Sequence, residues 1–543
     1  MKEQNGDSYE AIIVGGGHNG LVTAAYLAKA GVKVLVLERR GTLGGAAATE
    51  AIFPGYQVNT GAYDAGLFLP EIISDLRLEK HGLRFMENPV VLYAPGRDQR
   101  GLALWRDPEQ TIGEITRFSS ADAKIFPAYL RRIGEMTGIL KEILILTPPP
   151  VPGFTLPMLY PWLRVALRAR RLGKRDLMEF MRVLPLPVSD FLDEWFESAQ
   201  LKAALGAVGV SGTFLGPRSP GTTVMLLYQA MNAGRAGFRS SRFIQGGMGR
   251  LSQALAAVAV EHGAQMRCSA GVAQILMDDG YVKGVVLENG EEIYTRMVFS
   301  SADPRHTFFD LVGAHHLEVR LVREVKNIRL RGSLARLNLG LSGLPAFQGM
   351  AQDRNDVELH RLLGGIILLC PSLEHLERAY DEAKYGKYSS QPVIEFSLPS
   401  LLDSSLTPAG EHILTANIYY TPTLLKDRSW DEERNTLFET VLGTLEAYAP
   451  DIRKLILHKQ LSTPPDLERD YGLTNGDVYH GQMALDQMLF MRPSPAVSQY
   501  RTPVEGLFLC GAGAHPGGGV TGAPGHNCAH AILKDRSPLR RMK

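Results

Sequence analysis

The sequence predicts an α/β protein in which a nucleotide-binding domain of parallel strands and helices is assembled from separated stretches of chain and carries an inserted α+β domain. Three observations carry that expectation. A glycine-rich turn joins an apolar strand to a helix at Gly15-Gly16-Gly17-His18-Asn19-Gly20, a second strand, glycine loop and helix stand near the C-terminus from Gly506 to Ala531, and similar signals return from Phe243 to Asp303. Size and charge are compatible with it. The 543 residues are 45% hydrophobic, enough to bury the cores of two domains. The 58 basic and 57 acidic side chains leave a net charge of +1, so no global field would hold a polyanion and nucleic acid is not an expected partner.

The N-terminal element is the most informative. Ala11-Ile12-Ile13-Val14 reads as a buried strand that breaks into G-x-G-x-x-G. Leu21 to Ala30 follows as a helix, Gly31 stops it, and Val32 to Leu37 forms a second parallel strand ending in Glu38. In such a unit Gly15 makes the tight turn, Gly17 lets the backbone approach a pyrophosphate, and Gly20 lets helix and strand pack closely, with Gly16 counted among the cofactor-binding positions. The helix N-terminus faces the phosphates. Glu38, at the tip of the second strand, would accept hydrogen bonds from ribose hydroxyls and disfavour a 2′-phosphate. A lone glycine motif is weak, but strand, turn, helix, strand and acid in this order point to dinucleotide binding.

Directly after Glu38 the chain runs Arg39-Arg40-Gly41-Thr42-Leu43-Gly44-Gly45-Ala46. This resembles the glycine-pair motif of the flavoprotein superfamily of amine oxidases and phytoene desaturases. The resemblance implies FAD, held by a discontinuous Rossmann-like domain of the glutathione reductase/amine oxidase type, with Arg39, Gly44, Gly45 and Ala46 beside it. Gly44 and Gly45 would let backbone pass where a Cβ would collide with the cofactor. Phytoene desaturases usually carry Arg where Ala46 stands, which weakens the likeness to carotenoid desaturases in particular. The C-terminal loop with Gly511, Gly513, Val520, Thr521 and Gly522 resembles the segment that holds the ribityl chain and pyrimidine edge of the flavin. Val272 stands where the superfamily contacts adenine through backbone, although a plain strand valine would look the same.

The four cysteines, Cys268, Cys370, Cys510 and Cys528, form neither a CxxC pair nor a zinc-ligand spacing, so no metal is expected. With no dithiol and no second nucleotide fold, a disulfide reductase mechanism is rejected. Sparse thiols and a polar, acidic Met1–Glu10 lead us to expect no export, and a reducing location: the cytoplasm, or the mitochondrial matrix if the source is eukaryotic.

We therefore expect residues 1–65, 242–304 and 493–543 to form the FAD-binding domain and 66–241 and 305–492 the substrate domain, with substrate bound between them. The expected activity is hydride transfer from an apolar small molecule to flavin N5, with re-oxidation by oxygen, quinone or another acceptor. Two other readings stay open: a structural FAD in a regulatory or partner-binding protein, and a carotenoid desaturase or isomerase. His515 is the candidate for catalytic proton transfer, with His480, Asp486 and His526 behind it.

Residues 143–175 admit two readings. An uncharged run with many prolines, Ile143–Leu163, precedes a helix expected over Trp162–Arg175, with Arg164, Arg168, Arg171 and Arg175 on one face and Trp162, Val165, Ala166, Ala169 and Leu172 opposite. This is either a patch that dips into an anionic bilayer surface or a solvated face on a core-packed helix, the commoner use of such a pattern.

Overall fold

In the computed structural model, which describes residues 9–96, 100–149, 156–171, 173–348 and 355–534, three separated stretches of chain meet in one parallel sheet. Its strand order is Leu507–Leu509, Val298–Ser300, Ala11–Val14, Val34–Leu37 and Gln265–Arg267. The four strands other than Gln265–Arg267 are buried along their whole length, as parallel strands covered on both faces must be. Helix His18–Lys29 packs against helices Gly249–Glu261 and Ala523–Lys534. Its fit to the sheet depends on Gly20, where a Cβ would stand 2.2 Å from the Gly15 carbonyl oxygen. The helix begins at His18 rather than at the expected Leu21, because the glycine turn already has its N-cap at Gly17. A three-stranded antiparallel sheet, Val272–Asp278, Tyr281–Leu287 and Glu292–Tyr294, flanks this unit.

The rest of the chain builds a seven-stranded mixed sheet in the order Ile456–Ser462, Leu334–Leu341, His412–Tyr419, Ile394–Ser397, Ile366–Leu369, Val90–Ala94 and Leu102–Trp105. Period-two alternation gives it two different faces. Ala335, Leu337, Leu339, Ile394, Phe396, Ala416 and Ile418 belong to an apolar cluster with Leu437, Val441 and Leu445 of helix Trp430–Glu446. The alternate positions Arg336, Asn338, Glu395, Thr415, Asn417 and Tyr419 are buried or nearly so, and polar. Register places Arg336 and Glu395 each beside Asn417, and Asn338 beside Thr415. A second apolar cluster, with helix Ser120–Leu144 at its centre, supports this domain from the other side.

The expected helix over Trp162–Arg175 is two helices instead, Leu156–Arg171 and Gly173–Val183. The break falls at Gly173, whose φ of +83° a right-handed helix cannot continue through. The first helix begins within the proline run, at Leu156. Residues 150–155 and 172 of this region lie outside the described residues. Of the expected apolar face, Val165 is buried, Trp162 donates its Nε1 to the Thr147 carbonyl at 3.3 Å, and Ala166 is exposed. Tyr160, Leu163 and Leu167 are exposed on the first helix and Met178 and Met181 on the second. Among the described residues no helix is long and apolar enough to cross a membrane.

Candidate functional site

A long cleft runs from the glycine turn of the parallel sheet to the polar face of the seven-stranded sheet. Of the residues singled out from sequence, Gly15, Gly17, Glu38, Arg39, Gly44, Gly45, Ala46, Val272 and Val520 line it. Their arrangement follows from local geometry. Gly44, at φ +121°, donates its amide to the Gly16 carbonyl at 2.9 Å, so the glycine pair lies against the glycine turn. A Cβ on Gly17 would meet nothing within 4 Å, so the backbone there faces open space. Glu38 is buried, and its carboxylate accepts the amides of Gly16 at 2.7 Å and Arg40 at 2.8 Å. Each oxygen keeps a lone pair for another donor.

The other predicted positions stand behind the wall. Gly16 and Gly20 serve the turn and its packing, and at Gly511 and Gly513 a Cβ would come within 2.2 Å of the Ser301 carbonyl oxygen and 2.3 Å of Pro304 Cδ. Thr521 Oγ1 accepts the Ala523 amide at 3.2 Å to start the last helix, and Gly522 sits against Phe68 and Ile72. Ala512 and Gly519 face the cleft in their place. Arg492, buried, ties this loop to its neighbours by donating to the carbonyls of Ala512, Tyr479, Gly481 and Gln487.

His515 does not reach the cleft, which corrects the expectation placed on it. It has 0% exposure, and burial, with the Arg492 guanidinium nearby, lowers its pKa to about 3, so it is a neutral packing residue. Asp486 is drawn into an ion pair with Arg329 at 2.6 Å, and His526 stacks edge-on to Tyr26. The imidazoles at the wall are His18, His306 and His480, and His306 Nδ1 lies 2.8 Å from an Asp310 carboxylate oxygen. His18 has its Nε2 unpartnered and its pKa lowered to about 4 by burial. His480 has its Nδ1 unpartnered and is likewise lowered by burial. It follows a turn set by Asp477, whose carboxylate accepts the amides of Tyr479 and Arg331, each at 2.9 Å.

At the far end, the polar sheet face forms a floor that the motifs did not reveal. Glu395 accepts Arg239 Nη1 at 2.6 Å and Nη2 at 3.1 Å, Tyr419 at 2.8 Å, and the Tyr63 hydroxyl. Arg336 donates to Asn417 Oδ1 at 2.6 Å and the Asn59 carbonyl at 3.2 Å, and its guanidinium lies 4.8 Å from the centre of the Tyr63 ring. The available signal was a charge in the middle of an apolar strand, in Leu334-Ala335-Arg336-Leu337 and Val393-Ile394-Glu395-Phe396.

The cradle suits a flavin dinucleotide. Open backbone at Gly17 leads a helix N-terminus, a free acceptor capacity waits at Glu38, a second glycine pair is laid against the first turn, and the C-terminal loop closes the cleft through Ala512, Gly519 and Val520. Fold and site together define an FAD-dependent oxidoreductase. Residues 13–63 match the NAD(P)-binding Rossmann-like domain. The chain is 38% identical to the pyridine nucleotide-disulfide oxidoreductase domain-containing protein 2 of Rattus norvegicus, over 97% of this chain and 94% of that one, and it belongs to that family. It is also 27% identical to a subunit of the limonene dehydrogenase of Castellaniella defragrans, over 97% of this chain and 94% of the other. The solved cyclohexylamine oxidase of Brevibacterium oxydans shares the fold, with a TM-score of 0.58 at 14% identity over 99% of this chain and 100% of that one.

Proposed function

We propose that the protein oxidises a C–H bond of an apolar small molecule bound in the inner part of the cleft, in the manner of the desaturase-like branch of its superfamily. The observation that carries this reading is the continuity of the cleft, whose wall includes the glycine segments of the dinucleotide cradle together with Leu67, Leu334, Val478 and His480. FAD, held by Gly15, Gly17, Glu38, Gly44, Gly45 and Val520, would supply the two-electron acceptor chemistry. The chain's residues do the rest. Leu67, Leu334 and Val478 exclude water from an apolar group, and His480, neutral and with a free ring nitrogen, holds or moves the accompanying proton. The test is the visible absorbance of the purified holoprotein under anaerobic conditions as monoterpenes, long-chain hydrocarbons and amines are added. Bleaching by one of these compounds is expected. A spectrum that none of them bleaches would favour a structural flavin in a partner-binding protein.

We further propose that helices Leu156–Arg171 and Gly173–Val183 rest on an anionic membrane surface in a reducing, cytoplasm-like compartment. Tyr160, Leu163, Leu167, Met178 and Met181 are exposed on these two helices, as are Arg164, Arg170, Arg171, Lys174 and Arg175, the apolar and cationic side chains that an anionic bilayer surface would take up. Three of the four cysteines are buried and all are unpaired, which supports the compartment. Co-sedimentation with phosphatidylglycerol vesicles but not phosphatidylcholine vesicles is expected, and Leu163→Ser with Leu167→Ser should abolish it. Equal behaviour with both vesicles would remove the proposal.

A further inference from the structure

We propose that the polar floor of the cleft binds a carboxylate carried by the substrate, with Arg336 as its ligand, so that the substrate is an amphipath with an apolar reacting part and one anionic end. This rests on the reading of the inner cleft as the substrate chamber.

Arg336 is 4% exposed and lines the cleft. Both groups that accept its hydrogen bonds, Asn417 Oδ1 and the Asn59 carbonyl, are neutral, and its Nε donates to nothing. Among the described residues no carboxylate forms an ion pair with it. The acids of the chamber are engaged elsewhere. Glu395 is closed by Arg239 and two tyrosine hydroxyls, and Asp64 accepts the amides of Gly66 at 2.8 Å and Arg242 at 2.9 Å. The Arg239–Glu395 pair closes on itself, and Arg336 is left with neutral hydrogen-bond partners and an unpartnered Nε.

A buried cation is costly unless an anion meets it, and the guanidinium fork with a free Nε matches a carboxylate in geometry. The surroundings already fix that fork. Asn417 and the Asn59 carbonyl hold its terminal nitrogens, and the Tyr63 ring supports its face. Arg336 stands on strand Leu334–Leu341 of the second domain, on none of the glycine segments that build the dinucleotide cradle. With the carboxylate seated there, the rest of the ligand lies against Leu67, Leu334 and Val478.

The experiment uses oxidised holoprotein and three probes of equal chain length, octanoate, octylamine and octanol, read by perturbation of the flavin absorbance without turnover. Octanoate should bind saturably and about tenfold or more tighter than the other two. Arg336→Met should weaken octanoate by about tenfold or more while flavin content and octanol binding stay as in the wild type. If Arg336→Met does not fold, Arg336→Gln, which can still bond to Asn417, carries the same expectation. Octylamine binding tighter than octanoate, an unchanged octanoate Kd in the variant, or a folded variant that has lost its flavin would each overturn the proposal, the last by making Arg336 a cofactor residue. Octanoate binding is independent of whether any compound bleaches the flavin, so this proposal and the proposed oxidation fail separately.

Discussion

His515 shows how burial decides the role of a residue that its sequence position leaves ambiguous. Its pKa is held near 3 in the fold against 6.5 for the exposed imidazole. A folded pKa below the unfolded one means that the unfolded chain takes up a proton which the folded chain refuses. The stability from His515 is therefore complete above pH 6.5 and is lost as pH falls from there toward 3. His18, held near 4, acts in the same direction. His515→Gln removes one such proton, so its unfolding free energy should fall by about 3 kcal/mol less than the wild type's between pH 6.5 and pH 4. Denaturant titrations at several pH values measure this. Flavin reduction should keep its wild-type rate, because a residue with 0% exposure touches no substrate. A hundredfold rate loss in well-folded His515→Gln would return the residue to the chemistry.

At the scale of elements, what could be read from the sequence was what local geometry determines. A strand, a glycine turn, a helix and an acid in fixed order specify their own arrangement, and Gly15, Gly17 and Glu38 line the cleft accordingly. The break at Gly173 escaped because a charge pattern alone does not show where φ turns positive. Arg336 and Glu395 escaped because a strand's polar face gains its meaning only from the neighbouring strands, here through Asn417 between them. The two glycines of the first turn separate binding from folding. A side chain at Gly17 points into open space and its φ of −69° suits any residue, whereas one at Gly20 strikes the Gly15 carbonyl at 2.2 Å. Gly17→Val should fold with a circular dichroism spectrum and apoprotein melting temperature like the wild type's, yet purify almost free of flavin. Gly20→Val should be unstable with or without flavin. A Gly17→Val protein that keeps its full flavin complement would show that the cofactor does not approach this backbone.

On the scale of the whole molecule, the discontinuous assembly makes the buried cluster at Glu395 a joint rather than a local contact. Tyr63 comes from the first stretch of chain, Arg239 from the segment just before strand Phe243–Ile244, and Glu395 and Tyr419 from two strands of the mixed sheet. The helix Gly249–Glu261 and the strand Gln265–Arg267 were legible in the glycines and apolar residues of that stretch. The joint was not, because it exists only once four distant segments have met. Arg239 and Glu395 are 6% and 1% exposed, so removing one partner leaves the other as a buried unpaired charge, which costs about 3–5 kcal/mol. Replacing both with apolar residues removes both desolvation penalties. Glu395→Gln should therefore lower the melting temperature by about 4 °C if the chain unfolds as one unit, from the usual unfolding entropy per residue. Arg239→Met combined with Glu395→Leu should recover most of that loss. Scanning calorimetry of the two proteins at equal flavin content measures the difference. If the double variant is less stable than Glu395→Gln, the pair contributes through its hydrogen bonds to Tyr63 and Tyr419, and the cluster is held by its hydroxyls more than by its charges.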